Sequence, residues 1–200
     1  MKILIVGATG TIGKAVTEEL KNSHEIVTAG YRDGEFQVDL GSSNSIKTLF
    51  KSVGKVDAII SAAGNAPFAP FDKLDDEGYE LAFSNKLMGQ VNLVRFGREY
   101  LSDGGSVILT AGVLAHDPIP GSVAVSMANG ALESFARAAS LELDRGLRVN
   151  IVNPAFVKET MEMMGMDPTP GISARDTAKA YMAALKSSDT GSMFNAPDYV

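Results

Sequence analysis

Gly7-Ala8-Thr9-Gly10-Thr11-Ile12-Gly13 sets three glycines at regular spacing directly after the apolar run Ile3-Leu4-Ile5-Val6 and at the start of a helical pattern. Glycine lets the chain turn tightly and brings backbone N–H groups close to a pyrophosphate, while the dipole of the following helix favours the anion. The chemistry this spacing predicts is dinucleotide binding, with Gly7, Thr9, Gly10, Thr11, Ile12 and Gly13 around the pyrophosphate. Gly13-Lys14 does not complete a nucleoside-triphosphate loop, because that motif needs a glycine and a hydroxyl where the chain has Ala8 and Ala15. Roughly twenty residues further on, Ala29-Gly30-Tyr31-Arg32-Asp33 ends a second apolar run. An acid there would hold a ribose diol, and an arginine would accept a 2′-phosphate. Arg32 stands nearer the end of the run than Asp33, which favours NADP(H) over NAD(H), with Tyr31 beside the adenine.

Few other residues offer proton chemistry. His116, in the loop Ala115-His116-Asp117-Pro118, carries an imidazole, the side chain best suited to acid–base work near neutral pH, although a lone loop histidine is more often a surface residue. Met161-Glu162-Met163-Met164-Gly165-Met166 supplies flexible thioethers that suit an adaptable apolar cover or ordinary packing. With no cysteine and only His24 and His116, the chain has no disulfide, no thiolate zinc site and a poor metal set.

The elements that must position these residues alternate along the chain. Unbroken apolar runs at Ile3–Val6, Glu25–Ala29, Val56–Ile60, Ser106–Thr110 and Arg148–Val152 read as parallel strands buried on both faces, with Phe36–Asp39 as a short addition. Ile12, Ala15, Val16 and Leu20 mark one face of a helix over Thr11–Lys21, and stretches near 75–101 and 122–145 have the same spacing. Such strand–helix units close as right-handed crossovers into a parallel sheet, with ligands outside the carboxyl ends of the strands. The 200 residues, 45% hydrophobic and 21% charged, suit one soluble domain, residues 1–200. A net charge of −6 opposes nucleic-acid or anionic-membrane binding. Gly7 interrupts the first apolar run too early for a signal-peptide core, so the expected location is cytoplasmic.

Across nearly its whole length the chain resembles the short-chain dehydrogenase/reductase family. The glycine triplet resembles that family's cofactor turn, Val38-Asp39-Leu40 its adenine-contacting segment, and Ser61-Ala62-Ala63-Gly64 its Asn-Asn-Ala-Gly signature with both asparagines replaced. Asn150-Ile151-Val152-Asn153-Pro154-Ala155 is similar to the strand and turn that border nicotinamide, with Ala155 in place of glycine. The resemblance implies a three-layer Rossmann fold of α/β class, a doubly wound parallel sheet of about seven strands in the order 3-2-1-4-5-6-7. It also implies a small lid at about 155–170, and cofactor contacts from Asp39, Leu40, Ala62, Ala63, Gly64, Lys86, Asn129, Pro154, Ala155 and Val157. Thr160 falls one residue beyond the family's nicotinamide-contacting threonine.

The activity so implied is hydride transfer between NADP(H), or alternatively NAD(H), and a small carbonyl or alcohol. The family uses a serine, a tyrosine and a lysine for it; the corresponding positions are Gly112, Val125 and Asn129, and none carries the needed group. Lys86, in Lys86-Leu87-Met88-Gly89-Gln90, stands where the family has an active-site asparagine and could supply the missing cation, with Thr110, Ser126 or a water relaying the proton. The alternative is a catalytically inactive NAD(P)-binding sensor or scaffold. Small residues at Ala124, Ala128, Ala131, Ala138 and Ala139 resemble helices that pair across family interfaces, which implies a homodimer or homotetramer.

Overall fold

Strand β1 (Lys2–Val6) alternates its side chains between two apolar layers, and that alternation organises the molecule. Leu4 and Val6 join a core beneath helices α2 (Ser43–Val53), α4 (Met88–Gly97) and α5 (Val123–Ala139). Ile3 and Ile5 face the opposite layer, built by α1 (Thr11–Leu20) and α7 (Ala174–Lys186). The structure, a computed structural model, describes residues 1–200.

The sheet is wholly parallel, with seven strands in the order β3-β2-β1-β4-β5-β6-β7. After β1 these are β2 (Glu25–Gly30), β3 (Phe36–Gln37), β4 (Val56–Ser61), β5 (Leu101–Thr110), β6 (Arg148–Asn153) and β7 (Met193–Asn195). The order inverts between β1 and β4, so the loops at their carboxyl ends splay apart and open a crevice. No helix is long and apolar enough to cross a membrane.

Several elements differ from the sequence expectation. The stretch near 75–101 is not one helix: α3 (Asp76–Leu81) passes into a π-helical segment (Ala82–Leu87), then α4, then a short 3-10 turn. A π turn adds a residue to the helical circuit and resets which side chains face inward, a change that apolar spacing does not reveal. α5 ends at Ala139 rather than near 145 because the Ser140 hydroxyl donates to the Arg137 carbonyl at 2.8 Å and closes the final turn. Leu141, which continued the apolar spacing, is exposed. Ala124 and Ala128 of the small-residue stripe are fully buried within the chain's own core, leaving Ala131, Ala138 and Ala139 nearer the surface.

Candidate functional site

Two adjoining cavities open along the carboxyl ends of the strands and share Ala63 and Gly64. The larger, about 620 Å³, lies between the ends of β1, β2 and β4 and is lined by Gly7, Gly30, Tyr31, Asp39, Leu40, Asn65 and Asn85, among others. The smaller, about 290 Å³, lies over β5 and β6 and includes Ile12, Ala62, Lys86, Thr110, Gly112, Val125, Asn129, Pro154, Ala155, Val157 and Thr160.

The glycine turn is held by backbone geometry. Gly7 adopts φ of +84° and donates to the Ala29 carbonyl, while its own carbonyl accepts from Gly10. A Cβ on Gly13 would lie 1.9 Å from the Gly7 carbonyl oxygen, so the third glycine lets α1 start hard against the turn. No side chain caps α1 at Gly10, and its first N–H groups keep their capacity for an external anion. Thr9, Gly10, Thr11 and Gly13 belong to this turn but line neither cavity. Arg32 also lies outside both, exposed beyond Tyr31, whereas Asp39 lines the larger one and accepts from the Gly41 N–H at 2.8 Å.

Lys86 is the only ionisable side chain lining the smaller cavity. It sits in the π-helical segment, 9% exposed, with its Nζ 3.4 Å from the Ala111 carbonyl as its one hydrogen-bond acceptor. Gly64 makes room for the stem: a Cβ there would lie 3.2 Å from the Lys86 Cα and Cγ. No carboxylate pairs with the ammonium, and burial alone lowers its pKa to about 8. Beside it, Asn129 donates through Nδ2 to the Gly112 carbonyl at 3.4 Å, and its buried Oδ1 has no partner.

The hydroxyl groups considered for a proton relay are engaged elsewhere. Thr110 donates to the Ser61 carbonyl, so the fully buried Tyr181 must be the donor in the 2.6 Å contact between the two hydroxyls. Tyr181 lines neither cavity, and burial pushes its pKa up. Ser126 does not line the smaller cavity, and its hydroxyl lies 2.9 Å from the Ser122 hydroxyl.

His116 likewise points away, to a buried carboxylate that sequence spacing did not single out. Glu133 on α5 lies 2.8 Å from His116 Nε2 and accepts from Asn153 Nδ2 at 2.7 Å, and Asn153 Oδ1 accepts from the Gly112 N–H at 3.0 Å. This chain ties the Gly112 wall of the cavity to α5. Glu133→Ala strands a buried amide donor and should cost about 2 kcal/mol of stability, read from the urea midpoint. A result within a few tenths of wild type would dismiss the tie as energetically idle.

A family profile described as enoyl-(acyl carrier protein) reductase matches residues 7–193. The chain belongs to the short-chain dehydrogenase/reductase family. The crystal structure of the protein lin1944 from Listeria innocua superposes on this family member with a TM-score of 0.92 and 40% identity, covering 98% of each chain. Hydroxynaphthalene reductase arp2 of Aspergillus fumigatus is 27% identical over 182 residues, 83% of this chain and 67% of that protein. Glucose and ribitol dehydrogenase homolog 2 of Arabidopsis thaliana is 27% identical over 154 residues, 74% of this chain, which spans only 53% of that relative's length. The family binds nicotinamide cofactors, and its oxidoreductase members act on small molecules.

Proposed function

We propose that the protein is an NADP(H)-dependent oxidoreductase that reduces a small carbonyl compound or oxidises the corresponding alcohol through a proton route different from the family's usual one. The observation that carries this reading is Lys86, the one ionisable side chain in a mostly apolar cavity continuous with the glycine-lined cleft. The residues present fit a nicotinamide dinucleotide. The uncapped start of α1 suits the pyrophosphate, and the orphaned Asn129 Oδ1 suits a ribose hydroxyl. A bound nicotinamide supplies or accepts the hydride.

Gly112, Val125 and Asn129 stand where the family's serine, tyrosine and lysine are expected, and all three line the smaller cavity. With Thr110 and Ser126 committed elsewhere, Lys86 holds the substrate oxygen through its ammonium, and a water exchanges the proton with solvent. The 155–170 segment, which contains α6 (Lys158–Met163), serves as the lid of the smaller cavity, which it lines through Val157 and Thr160. A carbonyl panel with NADPH tests the reading: turnover lost in Lys86→Gln supports it. Tight cofactor binding with no turnover of any carbonyl would favour the sensor or scaffold role instead.

Cofactor choice rests on Arg32, the cation beside Tyr31. Arg32→Ala should weaken NADPH binding about tenfold and leave NADH unchanged, because an exposed arginine–phosphate contact contributes on the order of 1–2 kcal/mol. The position of Asp39 inside the cleft, with Arg32 outside it, favours NAD(H) as the second reading; equal affinity for the two reduced cofactors would establish it. A homodimer or homotetramer in the cytoplasm completes the proposal, and light scattering of a monomer at working concentration would refute the assembly.

A further inference from the structure

A buried lysine normally has a carboxylate beside it, because an ammonium without a partner is expensive to desolvate. Lys86 has none. Its ion-pairing range contains no acid, its three N–H donors have one distant carbonyl among them, and the cavity wall around it presents Val113, Leu114, Val125 and Phe156. Gly64, which leaves room for the stem, and the π turn that carries the residue place Lys86 in the wall of an open cavity rather than in a sealed core. A desolvated amine facing an apolar, accessible space is the arrangement in which lysine acts as a nucleophile.

We infer that Lys86 captures small apolar aldehydes and ketones covalently, as an imine, in the cofactor-free protein. The ammonium first gives its proton to water. The Nζ lone pair then attacks the carbonyl carbon, the π electrons move onto the oxygen, which takes one of the two amine protons to give a carbinolamine, and that hydroxyl leaves as water with the remaining nitrogen proton as the C=N bond forms. No oxidation occurs, and hydrolysis reverses the step. An apolar wall favours the imine because it excludes the water that would hydrolyse it. With its pKa near 8 rather than 10.5, Lys86 carries on the order of a hundredfold more neutral amine at pH 7 than an ordinary lysine. The inference needs neither a bound dinucleotide nor turnover, so it stands or falls separately from the proposed function.

Cofactor-free protein is incubated with benzaldehyde and sodium cyanoborohydride, which reduces the imine to a stable benzylamine, and the sites are mapped by mass spectrometry. The expected result is one dominant benzyl adduct on Lys86, formed at least about tenfold faster at pH 7 than on exposed Lys14, Lys51 or Lys55. Lys86→Arg removes that adduct and leaves the surface labelling as it was. If that variant does not fold, the wild-type pH profile decides: Lys86 labelling half-maximal near pH 8 supports capture. Adducts spread over surface lysines with Lys86 unmodified, or a Lys86 profile like that of an exposed lysine, would overturn it.

Discussion

Lys86→Met is expected to leave a more stable protein whose turnover is cut by orders of magnitude. Burial lowers the Lys86 pKa from 10.5 to about 8, so the folded state releases a proton that the unfolded chain keeps between those two values. Below about pH 8 the folded protein therefore carries the full penalty of a buried ammonium, and wild-type stability rises as pH goes from about 8 to 10.5, by about 3 kcal/mol at most. Methionine fills similar space without a charge. At pH 7 it should raise stability by about 1–3 kcal/mol and remove the alkaline rise, which paired urea titrations at pH 7 and 10 would show. Turnover should fall by about 10²–10⁴-fold, the usual contribution of a group that manages a proton in the transition state. A variant that is less stable and equally active would contradict both halves of the argument.

The second large effect is expected at Gly13. Alanine there puts its Cβ 1.9 Å from the Gly7 oxygen and 2.9 Å from the Ala8 Cα, backbone atoms that cannot rotate away, so α1 must lift off β1. The expected cost is about 3 kcal/mol or more, with cofactor affinity reduced on the order of a hundredfold as the N–H groups of α1 move out of line. Gly130→Ala is the matched control. Its Cβ meets nothing within 4 Å, and exchanging a mid-helix glycine in α5 should stabilise by about 0.5–1 kcal/mol. Thermal melts and calorimetric titration of both variants separate a local clash from a general intolerance of substitution.

The sheet was legible because its central strands are buried on both faces, and a run such as Ile3-Leu4-Ile5-Val6 has few other uses. Edge elements were harder. Met193–Asn195 is too short to stand out, whereas α2 and α7 were open to reading: Ile46, Leu49, Phe50 and Val53, and Ala178, Tyr181, Ala184 and Leu185, keep helical spacing, and the Ser42 and Ser173 side chains cap them by accepting from the N–H groups of Ser45 and Asp176. At the site, the glycine turn and the smaller cavity's residues could be read from order along the chain. Hydroxyl orientation could not. Thr110 and Ser126 looked equivalent to any free hydroxyl until the Ser61 carbonyl and the Ser122 hydroxyl were seen to occupy them. Glu133 escaped notice because a glutamate in a helix usually faces water, and only the tertiary fold brings Asn153 and His116 against it.

Calorimetric titration of the purified protein with NADPH, NADP⁺, NADH and NAD⁺ tests directly that the cleft is a nicotinamide-dinucleotide site. One-to-one binding in roughly the micromolar range, tighter for the phosphorylated pair and weakened for that pair alone in Arg32→Ala, is the predicted result. Heats of dilution alone for all four would contradict it.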